Sequence, residues 1–156
     1  MKWSVNSIDI KTVFLQGRLF DREVYLKPPR EAKTRNLWKL KKCVYGLKDA
    51  SRQWYLTLKD EVVKAGGKVS MYEPGMFFRR SEGGTLAGLM PCHVDDLFWS
   101  GTSTFKREGV NRLHKTFIVG NSSSVAFEYV GIEMEQEFDS KTITVKQDSY
   151  TEYTLC

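Results

Sequence analysis

The chain has 156 residues with a formal charge of +5; 41% of its residues are hydrophobic and 28% charged, which suits one globular domain and excludes a disordered polyelectrolyte. That charge is compatible with a polyanionic partner without identifying one. Three widely spaced cysteines (Cys43, Cys92, Cys156), no C-x-x-C and only two histidines exclude a disulfide framework, a structural zinc site and a His-built metal centre, and point to a reducing, intracellular compartment.

In chain order, the segment Met1–Asn6 has no apolar stretch of the secretory kind, and no run of 18 apolar residues that would predict a membrane span follows anywhere. Trp3, Val5, Ser7 and Asp9 alternate, which predicts a strand over 3–9 ending in a carboxylate. Residues 11–16 fit a short helical turn before Gly17. Residues 23–27 alternate again and stop at Pro28-Pro29, and 37–45 reads as a further strand closed by Gly46. Tyr55, Leu58, Val62 and Ala65 form one apolar stripe, so 50–65 is predicted helical, ending at a left-handed Gly66-Gly67 cap; Trp54 is expected in the core. After Met76-Phe77-Phe78, two apolar runs, 85–92 and 97–99, flank His93-Val94-Asp95-Asp96. Runs this close predict a tight β-hairpin with carboxylates at its tip. Residues 104–118 read as a helix capped by Ser103 or Thr104, and 120–124 as a loop. Residues 126–134 and 142–146 read as strands around the turn Asp139-Ser140-Lys141, and 148–155 as the start of a last helix.

Strands and helices mix without strict βαβ alternation, which gives an α+β fold: an antiparallel sheet with helices packed on one face. At the hairpin tip, adjacent carboxylates repel each other, and a hard divalent cation with oxygen ligands relieves that repulsion. Successive strand residues point to opposite faces, so Asp95 and Asp96 reach one ion only if a turn bends the chain. If strands 3–9 and 86–99 share a sheet, Asp9 meets Asp95 at one edge and supplies the third carboxylate of a two-metal site. On the pair alone, a solvated Asp-Asp turn is the commoner occurrence, and Asp9 alone would more often be a turn or cap residue.

Longer strings sharpen this reading. Asp9-Ile10-Lys11-Thr12-Val13-Phe14-Leu15-Gln16-Gly17 resembles the D-V-K-T-A-F-L-x-G segment of copia-type retrotransposon reverse transcriptases. Glu23-Val24-Tyr25-Leu26-Lys27-Pro28-Pro29 resembles that family's E-V-Y-M-x-Q-P, and the run from Leu40 to Tyr55 resembles L-K-K-S-L-Y-G-L-K-Q-A-P-R-Q-W-Y. His93-Val94-Asp95-Asp96 resembles the Y-V-D-D box, Tyr129-Val130-Gly131-Ile132-Glu133 the F-L-G-I-E strand, and Gln147-Asp148-Ser149-Tyr150 a Q-x-x-Y. The blocks follow the family's order and cover nearly the whole chain.

The resemblance implies a partial reverse transcriptase palm over 1–156, ferredoxin-like, with fingers, thumb and RNase H outside the chain. It implies an RNA-directed DNA polymerase fragment acting by two-metal transfer onto a primer 3′-hydroxyl in the full-length protein. Asp9, Asp95 and Asp96, with the Ile10 carbonyl, would hold two Mg²⁺ or Mn²⁺ ions. Phe14 would exclude a 2′-hydroxyl, the alternative being an ordinary core phenylalanine. Tyr45, Gly46 and Lys48 match the segment that would frame the nascent base pair, Lys48 contacting template backbone or phosphate or else lying as a solvated surface lysine, and His93 would stand near the primer end. The implied partners are an RNA or DNA template-primer, deoxynucleoside triphosphates and the rest of a Pol polyprotein, in a cytoplasmic particle or the nucleus, with no membrane. Three departures bear on activity: His93 replaces a tyrosine, Asp49 and Ser51 replace Gln and Pro, and 119–125 lacks the K-D-L-G-type segment. Asp49 is expected to harm a triphosphate site through its negative charge. An inactive remnant or a nucleic-acid-binding α+β module is the alternative. An RRM-like domain is disfavoured because no RNP-type aromatic string is present.

Overall fold

The computed structural model describes residues 3–19 and 21–148, so most of the expected helix at 148–155 lies outside the described residues. In order, the elements are β1 (Val5–Ile10), α1 (Val13–Gln16), β2 (Tyr25–Leu26), β3 (Trp38–Lys39), α2 (Ala50–Lys64), β4 (Lys68–Val69), β5 (Met76–Arg80), β6 (Leu86–His93) and β7 (Asp96–Gly101). Then come α3 (Ser103–Phe105), a π turn (Lys106–Val110), α4 (Asn111–Thr116), β8 (Val119–Ser124), β9 (Ala126–Tyr129), β10 (Ile132–Glu137) and β11 (Thr142–Lys146). The fold is α+β. Its main sheet runs β4-β5-β6-β7-β1-β8, and every neighbouring pair is antiparallel.

The helices cover one face of this sheet. Trp54, Leu58 and Val62 of α2 join Leu113 of α4 and Ile8, Met90 and Leu97 of the sheet in one buried cluster. The α2 stripe runs at four-residue steps through Ala50, Trp54, Leu58 and Val62, so Trp54 rather than Tyr55 leads it. Tyr55 is displaced to the cluster's edge, where its ring stacks on Phe77 and its hydroxyl donates to the Pro74 carbonyl at 3.1 Å. On the opposite face, the small sheet β11-β10-β9 lays Phe127 and Tyr129 against Phe98, with ring centroids 6.1 and 5.8 Å apart.

Four expectations need correction. Residues 119–124 are not a loop: this polar, serine-rich stretch is an edge strand, because backbone pairing with β1 decides its form while its side chains stay largely in solvent. The expected strand 126–134 is two strands, broken at Val130-Gly131, where both residues have left-handed φ (52° and 74°) as a tight hairpin turn requires. The strands expected at 23–27 and 37–45 shrink to a two-residue pairing, Tyr25 opposite Lys39 and Leu26 opposite Trp38. The helix cap at 103 or 104 is instead Thr102, whose side chain accepts the Phe105 N–H at 3.2 Å.

Gly88 and Gly101 face each other across β6 and β7, and the Phe105 ring lies on the pair. A Cβ at Gly88 would stand 2.3 Å from the Phe105 Cγ. Gly88→Ala should therefore lower stability by about 1–3 kcal/mol, the usual cost of overpacking. Urea unfolding measures it, and an unchanged midpoint would show that Phe105 does not seat on this pair.

Candidate active site

Asp9 is the penultimate residue of β1, and its partner across the strand pair is Asp96, the first residue of β7. Asp96 also faces His93 across the β6–β7 hairpin, whose turn is Val94-Asp95. The sequence expectation set Asp9 beside Asp95; the strand register sets Asp96 opposite it. Asp96 is the direct cross-strand neighbour, and Asp95 is tied to β1 through its backbone, its carbonyl accepting the Ile10 N–H at 2.9 Å.

The turn itself is strained. Val94 has φ 52°, a left-handed value at a position where hairpins prefer glycine, and β-branching makes it worse. Such residues cost of order 1–3 kcal/mol and persist only when the surroundings over-determine them. Here they do. The Trp54 indole N–H donates to the Val94 carbonyl at 2.6 Å, and the Cys92 thiol approaches the same oxygen at 3.7 Å. Trp54 is 1% exposed, so it is both core and clamp.

The electrostatics of this edge are those of crowded like charges. Burial, then the charges of Asp95 and Asp9, and then that of Glu128, push the Asp96 carboxyl above its ordinary value, while His93 pulls the other way. Burial, with Asp95 and Asp96, pushes the Cys92 thiol up to about 12. Burial, with Cys92 and Asp96, takes the Tyr129 phenol to about 12 as well. Among the described residues, no donor hydrogen-bonds the carboxylates of Asp9, Asp95 or Asp96, whereas Asp49, Asp60 and Glu61 all sit in ion pairs. Three half-buried carboxylates without donors form a hard-oxygen set that fits Mg²⁺ or Mn²⁺. They do not form a closed cage: among the described residues no three Asp, Glu, His or Cys side chains are gathered for a metal. The Asp9 carboxylate leans instead toward Gly120 on β8.

Of the other expected site residues, His93 stands opposite Asp96 across the hairpin. Phe14 is 7% exposed, in the core cluster, and meets the Tyr45 ring edge-on at 4.5 Å. Tyr45 is 65% exposed, and Gly46 after it takes a left-handed φ of 88°. Lys48 and His93 are exposed, and the buried Ile10 side chain turns into the core. The charge of Asp49, expected to harm the site, is compensated: Arg22 grips it with Nη2 at 3.0 Å and Nε at 3.2 Å. That pairing, together with Gly120 and Glu128, was missed at the level of sequence, since none of the three belongs to a matched motif. The charge distribution was missed too: residues 18–48 hold ten Lys and Arg against three Asp and Glu, so the chain's positive excess is concentrated in that stretch.

A family model described as reverse transcriptase (RNA-dependent DNA polymerase) matches residues 1–155. The chain belongs to the reverse transcriptase family. It is 31% identical, over 97% of its length, to a retrovirus-related Pol polyprotein from transposon TNT 1-94 of Nicotiana tabacum, of which it covers 12%. It is 28% identical, over 86% of its length, to the corresponding polyprotein of transposon RE1 from Arabidopsis thaliana, covering 9%. The same identity and coverage of this chain recur with the transposon Ty1-BL Gag-Pol polyprotein of Saccharomyces cerevisiae, of which 8% is covered. The chain thus spans about a tenth of the curated reverse transcriptase relatives it matches. No described helix is long and apolar enough to cross a membrane.

Two outcomes follow. A carboxyl whose folded-state value is raised binds extra protons in the native state, so stability falls as pH rises through and above the ordinary carboxylate range. Asp96→Asn should therefore stabilise the metal-free chain at pH 7 and leave it unchanged well below that range, as urea unfolding at pH 7 and pH 3 would read. A less stable Asn variant at pH 7 would contradict the crowding. Trp54→Phe removes the donor to Val94 and should cost about 1–3 kcal/mol by leaving a buried carbonyl unpaired. Faster amide exchange at Val94–Asp96 should accompany the loss, and a protected turn in that variant would show that the indole does not hold it.

Proposed function

We propose that this chain is the palm segment of an RNA-directed DNA polymerase within a longer copia-type Pol polyprotein. The observation that carries the proposal is the set of three donor-free carboxylates, Asp9, Asp95 and Asp96, at one sheet edge of a reverse transcriptase family chain. Asp9, Asp95 and Asp96, with the Ile10 carbonyl, would hold two Mg²⁺ or Mn²⁺, which would supply activation of the primer 3′-hydroxyl and neutralisation of charge on the pyrophosphate. The chain's own residues do the positioning. The hairpin fixes Asp95 and Asp96, β1 brings Asp9 opposite, and the Phe14–Tyr45 pair walls the space for the incoming sugar. Lys48 and the basic stretch 18–48 contact the phosphates of a template-primer and the nucleotide, and His93 stands beside the primer end. The polyprotein that carries this segment works in a cytoplasmic particle or the nucleus.

The test uses the full-length polyprotein enzyme that carries this segment. Asp95→Asn should cut primer extension by at least about a hundredfold, as loss of a group that stabilises developing charge does. Wild-type rates in that variant would remove Asp95 from the site. Phe14→Val should raise ribonucleotide relative to deoxynucleotide incorporation, because a close-packed wall tolerates no added hydroxyl. A destabilised variant with unchanged sugar preference would make Phe14 a core residue alone.

A further inference from the structure

β8 is the outer neighbour of β1, with Ile8 opposite Ser122 and Ile10 opposite Val119; the register shifts between these pairs, at Asp9. Gly120 stands against Asp9 at that irregularity. A Cβ built on Gly120 would lie 2.1 Å from Asp9 Oδ2 and 3.2 Å from Lys11 Cε. The Asp9 carboxylate therefore occupies space that any other residue at 120 would fill. The backbone of Gly120 is not left-handed, so room rather than conformation is what glycine supplies here.

The strand has little freedom to swing away. The Lys11 N–H donates to the Ile118 carbonyl at 3.0 Å. The Gln16 side chain spans the same junction: its Nε2 donates to the carbonyls of Lys11 and Ile118, and its Oε1 accepts the Ile118 N–H at 2.7 Å. β8 is thus stitched to β1 two residues before Gly120, and the Asp9 side chain is the part able to move. It has two directions to choose from. Toward β7 it meets the like charge of Asp96; toward β8 it enters the Gly120 notch, beside the cationic arm of Lys11. Without a cation, Coulomb's law favours the notch.

We propose that Gly120 is a positioning residue for Asp9: its missing side chain leaves a notch that holds the carboxylate away from Asp95 and Asp96 until a divalent cation draws it back. This inference rests on the metal-site reading above. It makes the resting site open and the loaded site closed, and it assigns the switch to one side-chain rotation. Apparent affinity for the ion is then reduced by the fraction of time Asp9 spends in the competent direction.

Gly120→Ala fills the notch at a backbone conformation alanine accepts. Mn²⁺ calorimetry on the whole chain, with thermal melts to verify folding, should show Gly120→Ala binding about threefold to tenfold more tightly than wild type, the range for a competent orientation populated about a third to a tenth of the time. Asp9→Asn in either background should bring both proteins to one affinity. Unchanged or weaker Mn²⁺ binding by a folded Gly120→Ala chain overturns the proposal. Wild-type binding insensitive to Asp95→Asn would sink the metal-site reading and this inference with it. Binding that Asp95→Asn weakens but Gly120→Ala does not strengthen sinks the inference alone. A second measurement needs no variant: the Asp9 χ1 rotamer, from NMR couplings, should change on saturation with Mg²⁺, and an unchanged rotamer overturns the proposal.

Discussion

The pairing of β1 with β7 joins residues some ninety positions apart in the chain, and the rest of the molecule is organised around keeping that pairing in register. A slip of one residue would carry Asp9 to the helix-covered face and bring Ile8 or Ile10 out of it, because side chains alternate along a strand. Ile8 and Ile10 are among the most deeply buried residues and lock that choice. The backbone bond from Ile10 to the Asp95 carbonyl then sets where the hairpin tip stands relative to β1. Core burial thereby determines the geometry of the polar edge.

That edge holds unfavourable features on both of its sides. Val94 carries a left-handed backbone that a β-branched residue resists, and the like charges of Asp95 and Asp9 bear on Asp96, which has no donor among the described residues. The first is offset by Trp54, which reaches through the core from α2 to the Val94 carbonyl. The second is opposed only in part, by His93, so repulsion among the carboxylates is left over for a bound cation to relieve. Arg22, by contrast, already pairs with Asp49, so the charge expected to disturb the site is compensated within the chain.

Much of this was legible in the sequence, and the parts that were share a physical character. The hairpin at 93–96, the helix at 50–64 and the strand carrying Asp9 are each specified by local periodicity and by short connections, which sequence displays directly. The edge strand β8 was not, because V-G-N-S-S-S has no strand propensity and pairs only since β1 offers it a free edge. The split at Val130-Gly131 was hidden by a valine at a left-handed turn position. For the site, the three aspartates could be named from motifs, but which two stand opposite each other depends on register between distant strands. Arg22, Glu128 and Gly120 act on the site only through tertiary placement, so no local pattern marks them.

The account stands on one claim, that the edge made by Asp9, Asp95 and Asp96 is where this chain takes a divalent cation. Paramagnetic broadening reports that directly. Substoichiometric Mn²⁺ added to isotopically labelled chain should erase amide signals first at Asp9–Ile10 and Val94–Asp96, then at Gly120, with β10 and β11 unaffected. Broadening centred instead on the glutamates of β10 (Glu133, Glu135 and Glu137), or spread evenly over the acidic surface, would contradict it.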